Sequence, residues 1–224
     1  MEANKEIIAI IGGTGKEGRG LAYRWAKAGY QVIIGSRKIE RALSAVDELA
    51  ELLDGDQKGL LSGSENNHAA QSADIIALTI PFEFHRSMLI QLKPIVQGKV
   101  VLDVTVPLVP PKVSVINIPE NGSAAKNAHI ILGENVKVIS AFQNISFELL
   151  MSDNHVDCDV LVCGSDKTAR ETGLRLVADA GLQGWDAGPL ENSIVAEGLT
   201  SILIRINKKY KSRSSGLRIT GIDR

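Results

Sequence analysis

The sequence predicts an α/β protein: a doubly wound, mostly parallel sheet, followed by a small, mainly helical C-terminal part. Three observations carry this. Short apolar runs alternate with helix-like stretches along the chain. A glycine-rich turn joins the first apolar run to the first helix. The runs are short and nearly continuous in apolar residues, as strands buried on both faces are.

Taken in order, residues 7–11 form the first strand, ended by Gly12 and Gly13, and residues 18–28 a helix with Leu21, Ala22, Trp25 and Ala28 on one stripe. Residues 31–35 make the second strand. Residues 40–53 make an amphipathic helix with Leu43, Val46, Leu49, Ala50 and Leu53 inward. A short strand is expected at 58–61, a short helix at 68–72 and a buried strand at 74–80, which Pro81 ends. A helix at 84–92, a strand at 100–104, a proline-rich loop at 107–119 and a helix at 124–131 follow. Strands at 137–142 and 159–163 and helices at 168–180 and 191–208 complete the pattern.

The 224 residues suffice for one substantial core, or for a domain with a small annex. A formal charge of −1 gives no reason to expect nucleic acid or an anionic membrane as partner. No apolar run approaches the roughly 20 residues that span a bilayer, so no membrane association is expected. The first six residues are polar and unlike a secretory signal. Cys158 and Cys163 stand at the two ends of one expected strand stretch, pointing to opposite faces, so a local disulfide or metal clip is not expected. A reducing cytoplasm is the expected location.

Gly13-Thr14-Gly15-Lys16-Glu17-Gly18 fits G-x-G-x-x-G, a weak pattern alone but a specific one between a buried strand and a helix. The first glycine makes the tight turn, the second admits a pyrophosphate to the backbone, and the third lets helix and strand pack closely. First-turn N–H groups then face the phosphates. This is the Rossmann-type dinucleotide arrangement. The tip of the second strand selects the dinucleotide. NAD enzymes place a carboxylate there for the ribose 2′-OH. Here Gly35-Ser36-Arg37-Lys38 stands instead, with Arg41 one turn on. Ser36, Arg37 and Arg41 can donate hydrogen bonds to a 2′-phosphate, so NADP(H) is the expected cofactor. Cations crowd a helix start that disfavours them, which itself suggests a bound anion.

At this point the chain resembles the NADPH-dependent coenzyme F420 reductases. The matching segments include IIGGTGKEGRGLAYRWAKAGYQVIIGSR at 10–37, ADIIALTIP at 73–81, VVLDVTVPL at 100–108 and KVISAFQNIS at 137–146. DCDVLVCGSD at 157–166, DAGPLENS at 186–193 and SSGLRITGI at 214–222 continue them. The resemblance implies an NADP-binding Rossmann domain at 1–150 and a small C-terminal domain at 151–224. That second domain would complete the substrate cleft and contribute contacts in a homodimer. It implies that Thr14, Gly15, Lys16 and Glu17 line the pyrophosphate and that Ser36, Arg37 and Arg41 hold the 2′-phosphate. Ile80 and Val106 would lie by the ribose and nicotinamide. Gln143, Asn144, Ile145 and Thr200 would face the deazaflavin F420, the co-substrate. The chain departs from relatives that carry His at position 143, Arg at 194 or Ser at 198; here these are Gln143, Ile194 and Gly198.

Hydride transfer between two such rings needs position and electrostatics rather than a nucleophile or metal. Ile80 and Ile145 can form an apolar slot, and Gln143 and Asn144 can donate hydrogen bonds to charge developing on the deazaflavin. No catalytic acid or base and no metal ligand is expected. His68, His85, His129 and His155 lack metal-type spacing and are expected on the surface or in loops. Asp103, at a strand end, is expected to be a structural hydrogen-bonder. The basic run 208–213 suits a helix C-terminus, or alternatively attracts an anionic cofactor tail. Two other functions stay open: an NADP-dependent reductase acting on another flavin or small-molecule acceptor, and a non-enzymatic NADP sensor.

Overall fold

The computed structural model describes residues 5–222. Of the polar N-terminal lead, residues 1–4 lie outside them. The elements are β1 (Ile8–Ile11), α1 (Lys16–Lys27), β2 (Val32–Ser36), α2 (Ile39–Ala50), β3 (Leu61–Glu65), α3 (Asn66–Ser72), β4 (Ile75–Leu78) and α4 (Phe82–Leu92). Then come β5 (Val100–Asp103), α5 (Ala124–Leu132), β6 (Lys137–Ser140), α6 (Phe147–Leu150), β7 (Asp159–Gly164), α7 (Lys167–Asp179), β8 (Gln183–Pro189) and α8 (Ser193–Tyr210). The strands form one sheet in the order β3-β2-β1-β4-β5-β6-β7-β8. The order reverses between β1 and β4, the switch point where open sheets of this kind bind ligands.

The alternation of side chains along β1 divides the core. Ile8 and Ile10 join Leu21, Trp25, Ile34 and Leu176 on one face. Ala9 and Ile11 join Leu78, Leu89, Ala128 and Val138 on the other. Trp25 anchors the first layer: its ring meets Phe142 edge-on at 5.8 Å, and its indole N–H donates to the Leu176 carbonyl at 3.0 Å.

Several expectations are corrected. Residues 55–60 form a 3₁₀ helix, and the third strand begins at Leu61. On α2 the buried stripe is Ala42, Ala45 and Leu49, and Leu43 is exposed. Leu49 and Leu53 are buried as expected, and the stripe opens on small alanines that let α2 approach β3: a Cβ on Gly63 would lie 3.0 Å from the Ala42 carbonyl carbon. The short α6 and the edge strand β8 were not foreseen. β7 runs antiparallel to β6 while every other neighbouring pair is parallel. The connection 141–158 holds only the four-residue α6. Without a full crossover helix the next strand runs back the opposite way. The C-terminal part thus contributes α7 and α8 as expected, and its two strands extend the same sheet. Both cysteines are free and buried.

Candidate dinucleotide and substrate site

The glycine loop leaves β1 through Gly12, whose φ of +77° favours glycine. The tight turn is therefore one residue earlier than expected. Gly13 sits just inside it, its N–H shared by the carbonyls of Ile10 at 3.1 Å and Gly35 at 3.0 Å. A Cβ on Gly18 would fall 2.6 Å from Gly13 Cα, so the third glycine lets α1 close on the loop, as expected. At Gly15 a Cβ would meet only Gly12 O, at 3.4 Å, leaving the backbone open to a ligand. Gly15 caps α1 without a side-chain bond, so the first-turn N–H groups stay available to an anion.

Two side chains of this loop do what the sequence did not disclose. Lys16 Nζ lies 4.6 Å from the centre of the Phe147 ring. Glu17 has Oε1 sealed from solvent without a partner, and burial pushes its carboxyl up to about 8. A proton on Glu17 makes the first turn compatible with phosphate.

Ser36 ends β2, Arg37 follows it, and Arg41 lies in the first turn of α2. Ser36 is buried, and its Oγ accepts from the Lys38 N–H at 3.3 Å. Arg37 and Arg41 are exposed. Neither enters an ion pair among the described residues. The Arg37 guanidinium lies 5.7 Å from the centre of the Phe84 ring. A cavity of about 320 Å³ brings Thr14 of the glycine loop and Arg41 together, with Arg19, Glu40 and Ser44 completing its lining. Arg19 pairs with Glu48 and donates from Nε to the Thr14 carbonyl at 3.1 Å, so it braces the cavity wall.

Across the switch point, Ile80 is half-buried, and its Cγ2 is what a Cβ on Gly12 would strike. Val106 is half-buried beyond the end of β5. Behind them lies a polar cluster that corrects the reading of the histidines. His85 is buried on α4, its Nε2 2.6 Å from Asp103 Oδ2. Burial pulls the imidazole down, but the Asp103 charge and hydrogen bond, with Glu197, raise it overall. Asp103 is the structural hydrogen-bonder expected, and its Oδ1 also accepts from the Thr105 N–H at 3.0 Å. Glu197, on the buried face of α8, accepts from the N–H groups of Ala124 and Ala125 at the start of α5. Burial pushes this carboxyl up to about 8 against those two bonds. A glutamate among Ser193, Ala196 and Ser201 on one helix stripe was the only clue in the sequence.

The residues expected to face a second substrate make other contacts. Gln143 Nε2 donates to Asp103 O at 2.8 Å and Ser140 Oγ at 2.9 Å, which uses both its protons. Asn144 Nδ2 donates to Asp159 O at 2.7 Å. These side chains hold the strand ends together, and the donor role expected of Gln143 toward a ring is taken. Thr200 Oγ1 donates to the Gln143 carbonyl at 2.7 Å and ties α8 to the segment. Ile145 is buried. Among the described residues no three metal-ligating side chains converge, and no helix is long and apolar enough to cross a membrane. The basic run lies at the end of α8, where Lys208 and Lys209 occupy the last turn.

Comparison with known proteins identifies the family. Residues 7–107 match the family described as NADP oxidoreductase, coenzyme F420-dependent. The F420-dependent NADP reductase of Methanocaldococcus jannaschii is 42% identical over 224 residues, covering 96% of this chain and 99% of that protein. The F420-dependent NADP reductase of Methanothermobacter marburgensis is 36% identical over 221 residues, covering 96% and 98%. A solved protein from Arthrobacter sp. FB24 superposes with a TM-score of 0.81 at 21% identity, covering 96% of this chain and all of that one. A pyrroline-5-carboxylate reductase from Coxiella burnetii gives 0.62 at 16% identity, covering 92% and 69%. These two show the fold.

Proposed function

The chain belongs to the F420-dependent NADP reductases, and from that premise we propose that the crevice at the carboxyl ends of β1, β2, β4 and β5 seats the hydride transfer between NADP(H) and coenzyme F420. The bound pair supplies the chemistry: a hydride passes between the nicotinamide C4 and the deazaflavin C5, with a solvent proton balancing the ring nitrogen. The chain's own residues bind and align. The observation that carries the NADP half is the carboxylate-free tip of β2 beside an uncapped glycine turn.

Gly13, Thr14, Gly15, Lys16, Glu17 and Gly18 form the pyrophosphate seat, and Ser36, Arg37 and Arg41 take the 2′-phosphate. Ile80 and Val106 flank the nicotinamide side. Gln143, Asn144, Ile145 and Thr200 form the wall toward the second substrate, Gln143 and Asn144 by fixing its backbone. Residues 1–150 carry the NADP site and 151–224 complete the cleft. No side chain is assigned as acid, base or metal ligand. The protein works in the cytoplasm.

The working unit is a homodimer. α8 leaves Val195, Ile202, Ile206 and Tyr210 exposed on one stripe, and the neighbouring loop adds Val109, Val115, Ile116 and Ile118. An exposed apolar stripe on the last helix suits an interface, and Ile202→Lys is expected to yield a monomer by light scattering.

Purified protein given NADPH and oxidised F420 is expected to bleach the deazaflavin absorbance. Turnover only with another flavin or an imine acceptor would replace the F420 assignment while keeping the NADP site. Tight NADPH binding without any turnover would make the chain a sensor. Arg37→Ala is expected to weaken NADPH about 10- to 100-fold through a lost charge-assisted hydrogen bond and NADH little. Equal losses would remove the 2′-phosphate assignment.

A further inference from the structure

We propose that Phe84 is the platform on which the adenine of the dinucleotide stacks, with Arg37 as the side chain that covers it until the base arrives. The proposal rests on the NADP reading above and adds a residue that reading does not use.

Phe84 lies in the first turn of α4, immediately beyond the β4 switch-point edge, and is 43% exposed although its neighbour His85 is buried. An isolated exposed aromatic is ordinary. This one has two distinguishing features. It stands at the carboxyl edge of the sheet, where the crevice opens. It also faces Arg37, which comes from β2 on the far side of β1. The guanidinium and the ring therefore bridge the mouth of the site, and Arg37 has no carboxylate partner among the described residues to hold it elsewhere.

The chemistry of the ligand matches that spacing. In an adenosine 2′-phosphate the base hangs from the sugar carbon next to the one that carries the phosphate. A side chain that binds the phosphate must therefore be a near neighbour of whatever touches the base. Arg37 is 5.7 Å from the ring centre. A base intercalated between two planes needs about 7 Å, twice the contact distance of about 3.5 Å, so all three cannot stack in the present arrangement. The guanidinium turns toward the phosphate, and the base takes the ring face it leaves. The cation–π contact is worth only about 0.5–1 kcal/mol at an exposed site, less than a charge-assisted bond to phosphate. The exchange is downhill. Ring-on-base stacking is sequence-tolerant because it needs only a π-face.

The test uses full-length protein and 2′,5′-ADP, which carries the base and the 2′-phosphate but no nicotinamide, with binding read by calorimetry. Phe84→Ala and Phe84→Leu are each expected to weaken it about 5- to 30-fold, whereas Phe84→Trp stays within about 3-fold of the wild type. The KM for NADPH should rise with the Ala and Leu variants while that for F420 holds. Because Phe84 is exposed, an unchanged melting temperature is expected throughout. Phe84→Leu binding like wild type would overturn the stacking role, since leucine keeps the apolar bulk and loses the ring. Wild-type protein that ignores 2′,5′-ADP would overturn the NADP reading itself, and this proposal with it.

Discussion

Replacing Glu17 by Gln isolates the carboxyl buried in the first turn of α1. Its Oε1 has neither solvent nor partner, and it titrates at about 8 instead of its ordinary 4.5. The unfolded chain releases this proton near 4.5 and the folded chain holds it to about 8. The folded value is the raised one, so the contribution to stability is whole below about pH 4.5 and is lost as pH climbs through about 8. At pH 7 the unfolded form has gained about 2.5 pH units of ionisation free energy that the folded form lacks. At about 1.36 kcal/mol per unit, the cost is about 3 kcal/mol. Helix N-terminal charge offsets about 0.3–1 kcal/mol of it. Glutamine has the same shape and no proton to lose. Urea unfolding of both proteins between about pH 5 and pH 8 should show Glu17→Gln gaining on the wild type as pH rises, by about 2–3 kcal/mol at the alkaline end. A difference that stays flat across that range would refute the reasoning. Comparing the two proteins also cancels Glu197, which contributes a slope of the same sign.

His85→Ala leaves Asp103 buried without its imidazole; a loss of about 3–5 kcal/mol in chemical unfolding is expected, and a loss below about 1 kcal/mol would mean the pair is not ionic. Gly18→Ala sets a Cβ against Gly13 Cα at 2.6 Å and Thr79 Oγ1 at 2.8 Å, so α1 must back away from the loop. Calorimetry should show NADPH binding weakened more than 10-fold, with about 1–3 kcal/mol of stability lost.

The sequence announces what backbone geometry demands. Gly13, Gly18 and the carboxylate-free tip of β2 could be read because each position tolerates few residue types. The apolar strands 75–78 and 100–103 were equally plain. β8 escaped because its Gln-Gly-Trp-Asp-Ala-Gly-Pro run is half-exposed at the sheet edge and follows no alternation. His85 escaped because nothing local in Phe-Glu-Phe-His marks it as buried; its partner Asp103 lies 18 residues away. The backbone bonds made by Gln143 and Asn144 escaped for the same reason. An amide's free protons can be counted only once the carbonyls of Asp103 and Asp159 are in place. Glu17 was expected at the pyrophosphate, but its sealed environment depends on tertiary packing.

The contact between α1 and α6 has a consequence for redesign. A Cβ on Gly20 would strike Leu150 Cβ at 2.6 Å. One turn along, the Arg24 guanidinium donates to the carbonyls of Leu149, Leu150 and Ser152. The helix that begins at the glycine loop is thus bolted to the segment following Gln143, Asn144 and Ile145. Whoever reshapes this enzyme for a different hydride acceptor inherits a shared chassis: on the reading proposed above, slack introduced at Gly20 or Arg24 would be felt by both ligands at once. Alterations that spare those two anchors are the ones able to retune one ligand while the other keeps its grip.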